Sequence, residues 1–185
     1  MSLLEEINHI EATATQLYSH EQVEAAIQQM AQQINQTLAE TNPLVLTVMN
    51  GGIITAGKLL ALLNFPLTID SINASRYQKG TRGYQVEWLH KPHTSLKDRA
   101  VLIIDDILDE GHTLKALIDY CQSQGATAIY SAVLINKRLA QNKPVKADFV
   151  GLEIDDYYVF GYGMDYKGYL RNANGIFACA EECLR

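Results

Sequence analysis

Three carboxylates lie close together near the middle of the sequence, and together they could hold a cation or the hydroxyls of a sugar. Asp105 and Asp106 follow an apolar run, and Asp109 lies three residues beyond them. Gly111 and Thr113 come next, where backbone N–H groups at a helix start could bind a phosphate. A buried strand with solvated acids at its end would explain one carboxylate. Three acids that converge on a glycine-threonine turn favour a site.

The segments on either side of these acids have the patterns of a strand and a helix. Residues 100–104 are all apolar and include β-branched side chains, which is typical of a strand buried on both faces. Residues 113–120 carry apolar side chains at helical spacing. The segment 109–113 is therefore predicted to be a tight turn at the carboxyl end of a parallel sheet, where open α/β folds bind ligands.

The rest of the chain alternates predicted helices and strands, which indicates a parallel α/β sheet. Residues 2–18 have helical spacing, and Ser19 is a suitable N-cap for a second helix that ends before Pro43. The polar segment 78–83 is predicted to be a mobile loop. Further strands are predicted at 44–49, 66–74, 84–89, 128–135, 149–151 and 157–160, with a helix at 53–63.

Length, charge and cysteine content restrict the class of protein. A chain of 185 residues suits one domain with a sizeable core. The net charge of −6 argues against a broadly basic nucleic-acid-binding surface. Three cysteines indicate a reducing compartment, and no segment approaches the ~20 apolar residues that a membrane span needs. The sequence therefore predicts a cytoplasmic protein that binds neither nucleic acid nor membrane.

Several other patterns have a structural interpretation as well as a functional one. The segment 52–59 nearly fits a P-loop, but Leu59 cannot bind Mg²⁺ where that motif needs Ser or Thr. His90 and His93 flank a proline and are typical of a surface loop. Lys137 ends a predicted strand and suits either a solvated charge pair or a substrate contact. Tyr158 suits either a core strand or the stacking of a flat heterocycle.

Residues 101–113 resemble the phosphoribosyl-pyrophosphate motif of the type I phosphoribosyltransferases. Four apolar residues, two acids, two apolar residues, a third acid, and then Gly and Thr follow in register. The segments 134–138, 147–154 and 159–171 are similar to the hypoxanthine-guanine branch of that family. The resemblance implies the type I α/β fold: a central mainly parallel sheet flanked by helices, with a small hood formed by the N- and C-terminal segments.

The resemblance also implies a domain organisation. The chain would be a single phosphoribosyltransferase domain over residues 1–185, with its core at about 40–150. The hood would come from about 1–18 and 151–185, and a mobile lid would span about 75–84. Relatives of this kind imply a homodimer or a homotetramer.

The resemblance implies roles for the acidic residues and one arginine. Asp109 would be the catalytic acid or base that faces N7 of the purine. Asp105 and Asp106 would hold the ribose hydroxyls, directly or through Mg²⁺. Asp165 would assist a second Mg²⁺, and Arg171 would contact pyrophosphate.

The purine and the 5′-phosphate would have their own contacts. Lys137 would donate to the purine 6-oxygen and so select oxopurines over adenine. Tyr158 would stack on the base, and the backbone of Val159 would meet its edge. The turn that would bind the 5′-phosphate consists of Glu110, Gly111, His112 and Thr113.

Two further segments complete the implied site. Asn50 and Gly51 match a pyrophosphate-binding turn that carries a cis peptide bond in the family. Ser75, Arg76 and Tyr77 would begin the lid and contact the substrate.

The resemblance implies a purine-salvage enzyme. It would join hypoxanthine or guanine to phosphoribosyl pyrophosphate, giving IMP or GMP and pyrophosphate. One alternative is a transferase that prefers xanthine. Another is a regulator with the same fold that binds the nucleotide without turnover, although a binding module has little use for a base at Asp109.

Overall fold

The computed structural model describes residues 2–77 and 85–180. These residues contain four helices and nine strands, and the strands form two sheets. The helices are α1 (Leu3–Thr13), α2 (His20–Leu38), α3 (Ile53–Leu60) and α4 (His112–Ser123). The strands are β1 (Thr15–Ser19), β2 (Leu44–Val48), β3 (Thr68–Tyr77), β4 (Gln85–His90), β5 (Ala100–Leu108), β6 (Ala128–Lys137), β7 (Phe149–Ile154), β8 (Val159–Phe160) and β9 (Gly175–Ala178).

The larger sheet has six strands in the order β4-β3-β2-β5-β6-β7. All neighbouring pairs are parallel except β3 and β4, which are antiparallel. The carboxyl ends of β2, β5, β6 and β7 therefore meet at one edge of the sheet. The predicted α/β architecture with a mainly parallel sheet is confirmed.

The central strand β5 is covered by helices on both faces because its residues alternate between the two sides of the sheet. Leu102 and Ile104 pack with α2 and α3, whereas Val101 and Ile103 pack with α4. All four are at most 1% exposed, and burying each contributes about 1.5–3 kcal/mol. This double burial explains why the run contains no alternating polar residues, and it fixes the acids that follow at the sheet edge.

A left-handed glycine joins β5 to the next helix. Gly111 has a φ of 86° and is the N-cap residue of α4, which begins at His112. Such a φ is unfavourable for residues with a Cβ, so glycine suits this position. The predicted strand-turn-helix unit is present, with its helix one residue longer at the start than the sequence indicated.

The segment 2–18 is not one helix, as its spacing predicted. Helix α1 ends at Thr13, and β1 follows it and pairs with β9 near the C-terminal end, Thr15 opposite Ala178. A second sheet of order β1-β9-β8 results. Helix spacing was outweighed here by pairing with a strand that is remote in the sequence. Ser19 does cap α2: its Oγ accepts the N–H of Gln22, 3.4 Å away.

Other boundaries also differ from the prediction, and three of them bear on the site. Helix α3 ends at Leu60, not at residue 63. Strand β3 continues to Tyr77, so the backbone of Ser75, Arg76 and Tyr77 belongs to the strand, while their side chains and residues 78–84 lie outside the described part. The predicted strand 157–160 is reduced to Val159–Phe160, since only these two residues pair with β9, and the two preceding tyrosines are exposed. None of the described helices is long and apolar enough to cross a membrane.

Candidate active site

Two adjoining cavities lie at the carboxyl edge of the larger sheet. The first has a volume of about 280 Å³ and lies between the turn after β2, the end of β5 and the segment 161–171. The second has a volume of about 230 Å³ and lies between the ends of β5 and β6 and the residues before β8. Both are lined by Asp106, Ile107, Asp109 and Asp165, so they form one continuous cleft.

Asp105 and Asp106 form a buried pair of carboxylates at the floor of the first cavity. They are 9% and 8% exposed, and the N–H of Asp106 donates to Oδ1 of Asp105 at 2.9 Å. Burial raises the pKa of Asp105 well above its ordinary value, and the neighbouring charge of Asp106 acts in the same direction. Burial also raises the pKa of Asp106, although Arg171 opposes that effect. This pair would be stabilised by any ligand that brings positive charge or hydrogen-bond donors.

We expect Asp105→Asn to stabilise the free protein at neutral pH. An unfolded aspartate ionises near its ordinary pKa of 3.8, whereas the raised pKa in the folded state keeps the proton to higher pH. The folded state thus binds more protons above pH 3.8, so the free energy of unfolding falls as pH rises through this window. Thermal unfolding at pH 7.5 should show a melting temperature a few degrees above wild type, with the difference shrinking near pH 4.

Asp70→Asn is the matched control because it should act in the opposite direction. Burial raises the pKa of Asp70, but the N–H groups of Thr94 and Ser71 outweigh it and lower the pKa overall. Removing that charge should therefore lower the melting temperature at neutral pH. A lower melting temperature for Asp105→Asn would contradict the expected penalty of its buried charge.

Arg171 connects the C-terminal segment to the carboxylate pair. Its Nη2 lies 2.6 Å from Oδ1 of Asp165, and its Nη1 lies 4.0 Å from Oδ2 of Asp106. Nη1 also donates to the carbonyl oxygen of Gly163 at 2.5 Å. One guanidinium thus borders the first cavity and links it to the segment that carries Asp165.

Two glycines allow the turn after β2 and the C-terminal segment to meet above Asp106. A Cβ on Gly51 would lie 2.1 Å from Oδ2 of Asp106, and a Cβ on Gly163 would lie 2.0 Å from the carbonyl oxygen of Gly51. The first contact would displace the carboxylate of Asp106, and the second would force the backbone to move. The predicted pyrophosphate turn is therefore in direct contact with both the acids and the segment 161–171. The cis peptide bond of this turn joins Met49 to Asn50, immediately before the predicted pair.

We expect Gly163→Ala to lower the free energy of unfolding by about 1–3 kcal/mol. Alanine is strained at a φ of 110°, and its Cβ would also clash with the carbonyl oxygen of Gly51. It should also weaken the binding of inorganic pyrophosphate to the first cavity, since Arg171 donates to the carbonyl of the same residue. Gly168→Ala is the matched control: its φ is 87°, but nothing lies within 4 Å of its added Cβ. Equal effects of the two changes on denaturant unfolding and on pyrophosphate binding would show that the close contact does not matter.

Asp109 and Lys137 face each other where the two cavities join. Nζ of Lys137 lies 3.4 Å from Oδ2 of Asp109 and 3.4 Å from Oδ1 of Asp156, and the side chain of Lys137 is 11% exposed. Val159 and Tyr158 line the opposite side of the second cavity. Tyr158 is 44% exposed, and its ring lies edge-on to that of Tyr166, with 5.9 Å between the ring centroids. An aromatic face, a cation and a carboxylate therefore surround a space suited to a flat polar ring.

The turn after β5 borders the first cavity. Asp109, Gly111 and Thr113 line it, and Glu110 and His112 lie in the same turn. The first N–H groups of an α-helix have no acceptor within the helix. The start of α4 is therefore suited to bind an anion such as a phosphate.

The described residues contain no cluster of three or more His, Cys, Asp or Glu side chains arranged to hold a metal ion by themselves. Asp165 forms an ion pair with Arg171, and the other carboxylates that line the first cavity are those of Asp105, Asp106 and Asp109. Mg²⁺ commonly binds through one or two carboxylates together with waters and substrate phosphates. The donor set therefore fits a Mg²⁺ ion that arrives with a phosphorylated substrate.

Three contributors to the cleft were missed from the sequence. Asp156 contacts Lys137, Gly163 contacts the turn after β2, and Lys143 lies behind the ends of β5 and β6. The two glycines that flank Tyr162 were a usable signal for a close backbone approach. The two charged residues lie in loops whose sequences give no indication of their partners.

Comparisons with known proteins agree with this geometry. The model of the phosphoribosyl transferase domain family matches residues 13–167. The hypoxanthine-guanine phosphoribosyltransferase of Bacillus subtilis (strain 168) is 31% identical over 157 residues, which covers 84% of this chain and 87% of that protein.

Two solved structures are similar over nearly the whole chain. A hypoxanthine phosphoribosyltransferase from Staphylococcus aureus superposes with a TM-score of 0.86 at 26% identity, covering 92% of this chain and 94% of the other. The hypoxanthine phosphoribosyltransferase from Trypanosoma cruzi in complex with the product IMP has a TM-score of 0.82 at 28% identity, covering 92% and 95%.

Proposed function

Because the chain belongs to the phosphoribosyltransferase family, we propose that it is a purine-salvage enzyme. It transfers the 5-phosphoribosyl group from phosphoribosyl pyrophosphate to hypoxanthine or guanine, giving IMP or GMP and pyrophosphate. The observation that carries this proposal is the meeting of Asp109 and Lys137 at 3.4 Å, between a cavity lined by acids and a cavity lined by Tyr158. A phosphoribosyl group would occupy the first cavity and a purine the second.

Asp109 would handle the proton on N7 of the purine during bond formation. Its carboxylate borders both cavities, so it can face a purine in one while the sugar lies in the other. As the purine nitrogen attacks the anomeric carbon, the ring loses a proton, and a positioned carboxylate can accept it. A fixed base at this position is what separates an enzyme from a module that only binds nucleotides.

The sugar and the leaving pyrophosphate would be held by the acids and by the residues that meet above them. Asp105 and Asp106 would hold the ribose hydroxyls, and with Asp165 they would hold Mg²⁺. The ion would neutralise the charge that develops on pyrophosphate. Arg171 would bind the same pyrophosphate, and the amides of the Asn50-Gly51 turn would face it. Burial of the acids would make each of these contacts stronger than in water.

The purine would be selected by a cation and a stacking surface. Lys137 would donate to the 6-oxygen of hypoxanthine or guanine, which adenine lacks. Tyr158 would stack on the ring, and the backbone of Val159 would meet its edge. The N–H donor that Lys137 supplies would therefore favour oxopurines.

Other parts of the proposal concern assembly, the lid and location. Exposed Ile53, Leu62 and Ile69 supply apolar surface near α3 and β3, which supports a homodimer or homotetramer. The segment at about 75–84 would act as the lid, and the protein would work in the cytoplasm. Light scattering in solution tests the assembly directly.

One assay tests the proposed function. Purified protein is incubated with phosphoribosyl pyrophosphate, Mg²⁺ and one of four purines: hypoxanthine, guanine, xanthine or adenine. We expect nucleoside monophosphate with hypoxanthine or guanine, and much less with adenine. Product only with xanthine would identify a xanthine-preferring transferase instead. No product with any of the four purines would overturn the proposal.

A further inference from the structure

The ladder between β5 and β6 ends just before the two residues that face the proposed purine. Its last pair is Leu108 opposite Asn136, and Asp109 and Lys137 follow immediately. Beyond that pair, backbone pairing no longer fixes the separation of the two strands. Lys137 is still held by β7, as the register partner of Ile154, whereas the β5 ladder ends one residue before Asp109. The 3.4 Å approach of the two side chains therefore depends on contacts that restrain the end of β5.

Lys143 supplies a contact at this last pair. Its Nζ donates to the carbonyl oxygen of Leu108 at 2.6 Å and to Oδ1 of Asn136 at 2.8 Å. The Leu108 carbonyl belongs to the peptide group that precedes Asp109, so fixing it restrains the backbone direction of Asp109. A single ammonium group thus bridges the ends of both strands.

The same network reaches the next strand of the sheet. Nδ2 of Asn136 donates to Oε1 of Glu153 at 3.2 Å, and these residues are register partners in β6 and β7. Burial lowers the pKa of Lys143, while Asp109 acts to raise it, which agrees with an amine held close to the cleft. Three neighbouring strands are therefore cross-linked at their carboxyl ends by side chains.

The segment that carries Lys143 also packs against the proposed phosphate turn. A Cβ on Gly111 would lie 3.3 Å from Cδ of Pro144 and 3.4 Å from Cβ of Lys143. The 138–148 loop, which connects β6 to β7, therefore contacts the turn after β5 from behind. It meets both the phosphate turn and the strand end that bears Lys137.

We propose that Lys143 is a positioning residue that holds Asp109 and Lys137 in register for the purine, an inference that rests on the proposed function. Without its ammonium, the carbonyl of Leu108 and the side chain of Asn136 lose a shared donor in a partly buried place. The two strand ends would then separate or rotate. The purine would be misplaced against Asp109, whereas phosphoribosyl pyrophosphate would keep its contacts with Asp105, Asp106 and Arg171.

The test compares steady-state kinetics of Lys143→Met with wild type. We expect kcat/KM for hypoxanthine to fall by about 10- to 100-fold, because small misplacements of reacting groups are costly. The KM for phosphoribosyl pyrophosphate should change by less than about twofold, since the proposed sugar contacts remain in place. Lys143→Arg should recover part of the loss, because a guanidinium can also donate to two acceptors.

Two further variants distinguish positioning from a general loss of stability. Lys146→Met makes the same change at an exposed lysine of the same loop and should behave as wild type. Asn136→Ala should resemble Lys143→Met, and the double variant should lose less than the product of the two single losses, because both remove one bridge. A double variant whose loss equals the product of the two single losses would contradict the inference, and so would an equal loss in Lys146→Met.

Hydrogen exchange gives a readout that does not depend on turnover. Lys143→Met should accelerate exchange of the backbone amides at the ends of the two bridged strands, 107–109 and 136–137, while leaving those of the phosphate turn and of the middle of β5 as in wild type. If wild type forms no nucleotide, the proposed function fails, yet this exchange result still tests the bridge. Unchanged exchange together with unchanged purine kinetics would overturn the role of Lys143.

Discussion

Asp109→Asn is expected to lower kcat by about 10²- to 10⁴-fold, the range typical of a lost general acid or base. Asparagine preserves the shape of the side chain but cannot take a proton from N7 of the purine. Binding of IMP should change little, because the sugar and phosphate contacts of the neighbouring residues remain. Pre-steady-state kinetics together with calorimetric titration of IMP separates the chemical step from binding.

Asp156→Asn is the matched control for this change. Both carboxylates lie 3.4 Å from Nζ of Lys137, but Asp156 is 70% exposed and does not line the first cavity. If the effect at Asp109 came only from losing a partner of Lys137, the two variants should be similar. Comparable kcat values for both, or near wild-type turnover by Asp109→Asn, would remove Asp109 from the chemistry.

Lys137→Met should weaken selection of oxopurines about 10- to 100-fold, measured as kcat/KM for hypoxanthine relative to adenine. Methionine fills a similar volume without a donor, so the 6-oxygen would enter the cavity without its charged partner. A hydrogen bond to a charged group contributes about 1.5–3 kcal/mol, which sets this range. The loss should appear mainly in the KM for the purine, while the KM for phosphoribosyl pyrophosphate stays close to wild type.

Lys115→Met is a suitable control because that lysine forms an exposed pair with Asp119 in α4. Exposed ion pairs of this kind contribute little, so its kinetics should match wild type. An unchanged hypoxanthine-to-adenine ratio in Lys137→Met would show that another group selects the base. A parallel fall with both purines would instead indicate general damage to the second cavity.

The centre of the fold was predictable because local and long-range signals agree there. Residues of β5 are apolar on both faces, and the glycine that follows suits the left-handed turn before α4. The acids are therefore placed at the sheet edge by the sequence pattern alone. The burial of both acids, which raises the pKa of Asp105, depends on how the 161–171 segment covers them. No sequence pattern indicates that cover.

The ends of the chain were less predictable because their pairing is remote. Thr15 and Gln16 are predicted to continue a helix by spacing, yet they pair with Ala178 and Phe177. No local pattern in either segment identifies the other. Tyr158 was predicted to lie in a strand, but it remains outside the ladder, exposed beside the second cavity.

Loop contacts were the least predictable part of the site. Lys143 is one of two lysines in the 138–148 loop, and only folding brings its amine to the Leu108 carbonyl. The connections from Asp156 to Lys137 and from Gly163 to Gly51 are of the same kind. Function was recognisable from the strand-turn-helix motif, whereas the supporting contacts depend on tertiary structure.

The pairing of β1 with β9 has a consequence for the order of synthesis. A ribosome releases β1 early, but its partner β9 emerges only after Tyr158, Asp165 and Arg171 have been made. The larger sheet can form first, since its strands are complete by Ile154. Closing the small sheet is a late, non-local step that costs chain entropy. Until Asp165 and Arg171 have been made, a nascent chain would hold the Asp105-Asp106 pair without the segment that covers it.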